Sequence, residues 1–431
     1  MTSEAIKQRI YSVDFLRGIV MMIMLLDHTR DFVHHGGPMS DPTDPMTTTV
    51  PLFFTRWITH FCAPTFVFLS GVSIYLQKMN GKSNKELSWF LFTRGIWLII
   101  LEFTVIRFLV TFNVDYSSFF GMAQVIWVIG ASMIVMAALI YLPARVVGLL
   151  GLAMIVLHNI ADKRLDLPAE IAFGGSPNVL QALWLVLHQQ GLIPVAGQSI
   201  IFMAYPLIPW VGVMAAGYAL GAVYSWDGER RRKWLLATGI VATVFFVGLR
   251  ASNLYGDRDL WTTRAEFVER IKVKAEAGEL GPDFKMQTPA LSEPAFTIVA
   301  FLNTNKYPPS LLFLLMTLGP ALIVLALADG IGGQTFWQRI PIVFGRVPLF
   351  FYLLQWISAH LFGIGLSLIA GKDISYFFAP FNPQMELPPD NGFSLPVVYF
   401  AWIAGLVIIY PLCLWYGNYK LRKKHWLLSY L

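Results

Sequence analysis

Charge is scarce in this chain of 431 residues. Asp, Glu, Lys and Arg together make up 13%, about half the share of a soluble protein. A chain so poor in charge does not coat a water-facing surface, which excludes two or three soluble domains. Cysteine is nearly absent, with two residues, so a disulfide scaffold is excluded as well. Basic and aromatic residues do not interleave in any soluble module, and nucleic acid is not expected as a partner. Apolar side chains are abundant instead: AVILMFWYC make up 56% and aromatics 15%, a composition that collapses in water and rules out disorder. The sequence is that of an integral membrane protein whose main partner is the lipid bilayer.

Apolar runs of about 20 residues cross the hydrocarbon as helices. Ten are predicted, near 13–33, 56–77, 89–112, 121–142, 144–160, 199–224, 233–249, 308–329, 341–370 and 395–417. They are continuous rather than alternating, which argues for an all-α bundle over a strand barrel. Residues 179–190 are apolar but too short to span, and read as a re-entrant or interfacial helix. With the N-terminus inside, fifteen Lys and Arg fall on inner loops, from Lys7 and Arg9 through Arg230–Lys233 to Lys424, against three on short outer loops. Basic loops stay cytoplasmic, so the expected topology is N-in and C-in. No cleavable signal is expected, because the first apolar run leads into Asp27 and His28. The whole of 1–431 reads as one transmembrane domain, with 250–307 as a long extracytoplasmic loop. Within that loop Trp261, Ala265, Val268, Ile271 and Ala275 recur at helical spacing, Glu266 and Arg270 stand i,i+4, and Gly278 offers a stop. An amphipathic helix is predicted there.

Ionisable groups inside membrane helices are costly and mark function. Asp14, Arg17, Met21, Met24, His28, Asp31 and His35 form one stripe of the first helix. Arg17 and His28 share its face about 16 Å apart. Asp27, Arg30 and Asp31 surround His28, and Arg56 stands one turn from His60. Most histidines map to the outer half; His158 and His188 read as ordinary helix–helix hydrogen bonders. Imidazole is a general base at working pH without any shift. Asp31, His34 and His35 carry zinc-type donors, but no His-Glu-x-x-His or fixed Cys/His spacing accompanies them, and no metal is expected. Arg17, Arg94 and Arg346 begin three helices at the inner side, where they either snorkel to lipid phosphates or together bind an anionic cytosolic ligand. Glu102 and Arg107 are expected to form a structural ion pair. Cys62 and Cys413 fall at opposite ends of their helices and are not expected to pair.

Val13-Asp14-Phe15-Leu16-Arg17-Gly18, followed by an apolar run into Asp27-His28, resembles the opening of the transmembrane acyltransferase superfamily. Arg17, ten residues and His28 match the arginine–histidine signature of acyltransferase type 3 proteins. Arg56-Trp57-Ile58-Thr59-His60-Phe61 leading to Pro64, Lys306-Tyr307-Pro308-Pro309-Ser310-Leu311, Gly345-Arg346-Val347-Pro348-Leu349-Phe350-Phe351-Tyr352, Tyr410-Pro411 and the closing Trp426-Leu427-Leu428-Ser429-Tyr430-Leu431 are similar to the bacterial branch related to heparan-alpha-glucosaminide N-acetyltransferase. The resemblance implies transfer of an acyl group, acetyl for preference, from cytosolic acyl-CoA to an extracytoplasmic sugar, glycan or other small acceptor, in a bacterial inner membrane. His28 would be the catalytic residue, with Asp27 or Asp31 orienting it. Arg17, with Asp14, Arg346 and Arg94, would hold the acyl-CoA while its arm passes Met21 and Met24. Arg56, His60, Lys306 and Asn303 would meet the acceptor. The only co-substrate is acetyl-CoA or another acyl-CoA, and a homo-oligomer is compatible with all of this. A proton-linked transporter or exporter of a small anion is the competing reading of the same histidines and carboxylates; the lack of a repeat with paired broken helices weighs against it.

Overall fold

Apolar helices of two lengths build the protein. The computed structural model describes residues 10–174, 176–196, 199–276, 289–379 and 387–423. Lys7, Arg9, Gly278, Lys424, His425 and the closing 426–431 segment lie outside the described residues. In chain order the helices are α1 (Tyr11–Val33), α2 (Val50–Thr59), α3 (Cys62–Met79), α4 (Asn84–Leu101), α5 (Arg107–Thr111), α6 (Val125–Leu139), α7 (Ala144–Leu157), α8 (Ala169–Ala172), α9 (Val179–Leu187), α10 (Leu207–Leu220), α11 (Gly228–Ser252), α12 (Arg264–Glu276), α13 (Glu293–Leu302), α14 (Leu311–Leu327), α15 (Phe336–Gly345), α16 (Pro348–Ile369) and α17 (Leu395–Arg422). Among the described residues six stretches are long and apolar enough to cross a membrane: Val50–Met79, Asn84–Thr111, Leu207–Ser225, Gly228–Ser252, Pro348–Ile369 and Leu395–Arg422. Shorter apolar helices lie at Val125–Leu139, Ala144–Ile160, Glu293–Leu302 and Leu311–Leu327.

Helix starts follow local chemistry. Ser83 and Glu86 close a capping box on α4, Asn178 and Gln181 one on α9, and the Ser310 side chain caps α14. The α9 helix occupies the short apolar stretch foreseen at 179–190, with nine residues. Two expected continuous runs are broken. The second bends where α2 ends at Thr59 and α3 begins at Cys62. The ninth breaks at Arg346–Val347, because Pro348 takes the first position of α16.

The bundle is not all helix. Strands β1 (Phe119–Ala123), β2 (Gly191–Ala196) and β3 (Ser199–Met203) form a sheet of order β1-β3-β2, parallel between β1 and β3 and antiparallel between β2 and β3. Both β1 and β3 occupy the starts of predicted spans, because a short apolar strand has no periodicity to distinguish it from a buried helix. Between α4 and α5 the chain widens into a π-helical turn over Glu102–Ile106.

Core side chains from α1, α3, α4, α6, α10, α14 and α16 merge into one cluster, while a second, with Met21, Phe344, Phe351 and Cys413, joins α1 to α15–α17. The α1–α15 contact is the tightest. A Cβ on Gly18 would lie 1.8 Å from the Pro341 carbonyl oxygen, and one on Gly345 would lie 1.9 Å from that of Asp14. Only glycine lets these backbones approach so closely, a common device between membrane helices.

The 250–307 segment contains α12 at the predicted place, with none of its side chains buried, and a second helix, α13, that periodicity did not reveal. The expected Glu266–Arg270 pair does not form. Glu266 instead closes a capping box with Thr263, and Arg270 lies over the Phe267 ring. Trp261 precedes the helix and donates its indole N–H to the Arg250 carbonyl at 2.8 Å. Cys62 and Cys413 are free and buried.

Candidate functional site

A cavity of about 720 Å³ opens beside the C-terminal half of α1, within the size range of small-molecule sites. It brings together seven of the residues singled out above: Asp27, His28, Asp31, Arg56, His60, Asn303 and Lys306 all line it. They come from α1, α2 and the segment between α13 and α14, so the site is assembled across much of the chain.

His28 lies on a floor of aromatic carbon. Its ring centroid is 3.7 Å from that of Trp356 on α16. Its Nδ1 is enclosed and has no hydrogen bond, with the nearer Asp31 carboxylate oxygen 3.9 Å away. That separation is an ionic contact rather than a hydrogen bond. Asp27 is engaged elsewhere. Its carboxylate receives the Arg56 guanidinium from α2 and the Arg30 guanidinium at 3.2 Å from its own helix. Arg30 also grips Asp31 at 2.5 Å. The chain of charge therefore runs Arg56–Asp27–Arg30–Asp31, and its last member faces the imidazole. Buried charges persist when paired and hydrogen-bonded in this way.

Across the cavity, the Lys306 ammonium lies 5.0 Å from the Tyr307 ring and 6.0 Å from that of Tyr205. Lys306 is buried, and it makes no ion pair among the described residues. A sheltered cation without a carboxylate partner is suited to an anionic or strongly polar group of a bound molecule. His60 meets Phe313 edge-on at 5.4 Å, and its Nδ1 is buried without a hydrogen bond. The Asn303 side chain is already committed, donating to the Thr43 carbonyl at 3.0 Å. Asp257, in the loop after α11, is pushed up to about 6 by burial, although Arg250 holds it at 2.8 Å.

The residues predicted to hold the acyl donor, Asp14, Arg17, Arg94 and Arg346, do not line this cavity. Arg17 donates to Asp14 at 3.3 Å, to the Gly345 carbonyl at 3.2 Å and to the Ser73 hydroxyl at 2.9 Å. Arg346 lies over the Tyr11 ring at the same α1–α15 junction, whereas Arg94 lies over Phe90 on its own helix. Met24 reaches the cavity, but Met21 is fully buried in the packing against α15 and α17. The Glu102–Arg107 ion pair is absent. Glu102 accepts the Trp127 backbone N–H at 2.7 Å, while Arg107 donates to the carbonyls of Asn113, Asp115 and Phe119. Each side chain finds backbone partners instead.

Periodicity points to His28 and its neighbours on α1 but not to what meets it from α16. Trp356 and Tyr352 stand one turn apart on α16 and line the cavity, as does Glu102. The i,i+4 spacing of two amphipathic aromatics was the available signal for the first pair. Asp31, His34 and His35 do not converge, since the two histidines turn their Nδ1 atoms to the carbonyls of His35 and Asn391.

No curated protein matches this chain. The model for the catalytic part of heparan-alpha-glucosaminide N-acetyltransferase matches residues 9–255, which include α1, α2 and therefore Asp27, His28, Asp31, Arg56 and His60. With more than half its length matched, and with helices long and apolar enough to cross a bilayer, the chain is an integral membrane protein belonging to the heparan-alpha-glucosaminide N-acetyltransferase catalytic family.

Proposed function

We propose that this protein moves an acyl group, acetyl for preference, from cytosolic acyl-CoA to an acceptor on the far side of a bacterial inner membrane, with His28 as general base. The observation that carries the reading is the placement of His28, the imidazole that both follows the family arginine after ten intervening residues and lines the cavity. Ten crossings follow if α1 and the shorter helices α6, α7 and α14 join the six long stretches. The bias of positive loops supports both termini inside, with the cavity mouth then outside.

In the proposed step an acceptor amine or hydroxyl in the cavity attacks the thioester carbonyl. The new C–N or C–O bond forms, the C–S bond breaks, and the acceptor proton passes to His28 and then to the departing thiolate. General-base catalysis of this kind contributes about 10²–10⁴ in rate. Asp31 is the carboxylate beside Nδ1 and stabilises the imidazolium as it forms. Asp27 acts through Arg56 and Arg30 as a positioning residue. Lys306 and Arg56, with His60, meet a polar acceptor such as an amino sugar. Asn303 supports the cavity rim through Thr43.

Donor binding involves the opposite end of α1. Arg17 and Arg346 share the α1–α15 junction, where a CoA phosphate competes with Asp14 for Arg17. The arm then has to pass Met21, so donor entry requires α1 and α15 to separate. Calorimetric titration of the detergent-purified chain with acetyl-CoA tests the donor. Micromolar binding weakened by Arg17→Ala supports the reading, and absence of binding by folded protein overturns it. In proteoliposomes, acceptor-dependent release of CoA that disappears in His28→Ala tests the chemistry.

A further inference from the structure

A second cluster of titratable side chains lies outside the cavity. His158 and Asp162 follow the end of α7, and His188 caps the end of α9. All three are buried, and one donor atom from each lies within 4.8 Å of the other two. His188 Nε2 is 3.0 Å from Asp162 Oδ1. Asn159 donates to the other carboxylate oxygen at 2.7 Å, fixing the direction of Oδ1.

The hydrogen bonds leave part of this cluster unexplained. Both ring nitrogens of His158 and Nδ1 of His188 are buried without a hydrogen-bond partner. The Pro309 carbonyl approaches the His158 ring, yet neither nitrogen reaches hydrogen-bonding geometry with it. Each buried polar atom left unsatisfied costs about 1–3 kcal/mol, and a cation held by Asp162 and His188 would give one nitrogen of His158 the partner it lacks. Two imidazoles and a carboxylate form a donor set that selects a zinc-type ion over magnesium or calcium. In a tetrahedral zinc site, ligand atoms stand about 3.3 Å apart. The His188–Asp162 pair is already near that separation, and His158 needs to close by up to about 1.5 Å.

We infer that His158, Asp162 and His188 form a zinc site, with water in the fourth position. Asn159 is its supporting residue. It holds the carboxylate through its amide N–H, and its carbonyl oxygen accepts the Leu311 backbone N–H at 2.9 Å. The ion thereby joins the ends of α7 and α9 to the start of α14. It binds away from His28, and the inference does not depend on the acyltransferase reading.

The full chain, purified in detergent and stripped with a chelator, is titrated with zinc chloride alone and, separately, with cobalt chloride. Expected are about one zinc per chain, a rise in melting temperature, and the visible absorption of tetrahedral cobalt. His158→Gln and Asp162→Asn should each weaken zinc binding at least about tenfold. Absence of zinc uptake by the wild-type chain overturns the proposal, leaving a hydrogen-bonded cluster satisfied by water only. Equal zinc affinity in wild type and a folded variant also overturns it. Should both variants fail to fold, the wild-type cobalt spectrum decides: a tetrahedral spectrum supports the site, and an octahedral one or none refutes it.

Discussion

Both ends of α1 hold acid and arginine one turn apart, Asp14 with Arg17 and Asp27 with Arg30. The first pair is closed into packing. Gly18 and Gly345 press α1 against α15, and Arg17 spends its donors on Asp14, a backbone carbonyl and a serine. The second pair belongs to a longer relay of charge that faces an open volume. Charge on α1 therefore has two uses: holding helices together and furnishing a cavity. A stripe on a helical wheel does not distinguish them; the number of protein partners around each group does.

The largest effect should come from removing the imidazole. His28→Ala is expected to lower transfer about 10²–10⁴-fold while leaving the melting temperature nearly unchanged, which kinetics and thermal unfolding together would check. Equal loss of activity and stability would erase the distinction between the two ends of α1. Next comes Arg56→Met, which strands Asp27 with only Arg30. Breaking a buried pair from one side costs about 3–5 kcal/mol, and adding Asp27→Asn should recover part of it in denaturant titrations. At the other end, Gly18→Ala forces a Cβ against the Pro341 carbonyl. Overpacking of this kind costs about 1–3 kcal/mol, measurable as a lowered melting temperature, with acetyl-CoA binding disturbed alongside it. The smallest effect is a slope. Asp257 is held protonated up to about pH 6 by burial, so between its unfolded value near 3.8 and 6 the folded chain binds more protons than the unfolded one. Stability from this group therefore falls as pH rises through that window. Asp257→Asn should flatten this part of a stability-versus-pH curve.

Much of the cavity was legible because it is helical. The i,i+3 and i,i+4 spacing of Asp27, His28, Arg30 and Asp31, and of Arg56 and His60, places these side chains within reach of one another. The helix at 264–276 was legible from its periodicity for the same reason. What escaped depends on contacts between distant segments. Trp356 meets His28 from a helix more than 300 residues away, and Asp162 meets His188 across the whole α8–α9 excursion. Strands β1 and β3 escaped because five apolar residues resemble a helix start. The Glu102–Arg107 pair is not formed because each side chain is satisfied by backbone groups of other segments, which residue type and depth in the helix do not reveal.

The charge on α1 also bears on how the chain is made. With Asp14, Arg17, Asp27, Arg30 and Asp31 on 23 residues, α1 is absent from the stretches apolar enough to cross unaided. Each such charge costs about 2.5–3.5 kcal/mol at the centre of an inserting helix. The partners that α1 finds outside itself emerge later in synthesis: Arg56 first, Ser73 soon after, and Gly345 only when most of the chain exists. The helix that bears the site is thus translated before most of its partners, and its packing is complete only once α15 is added.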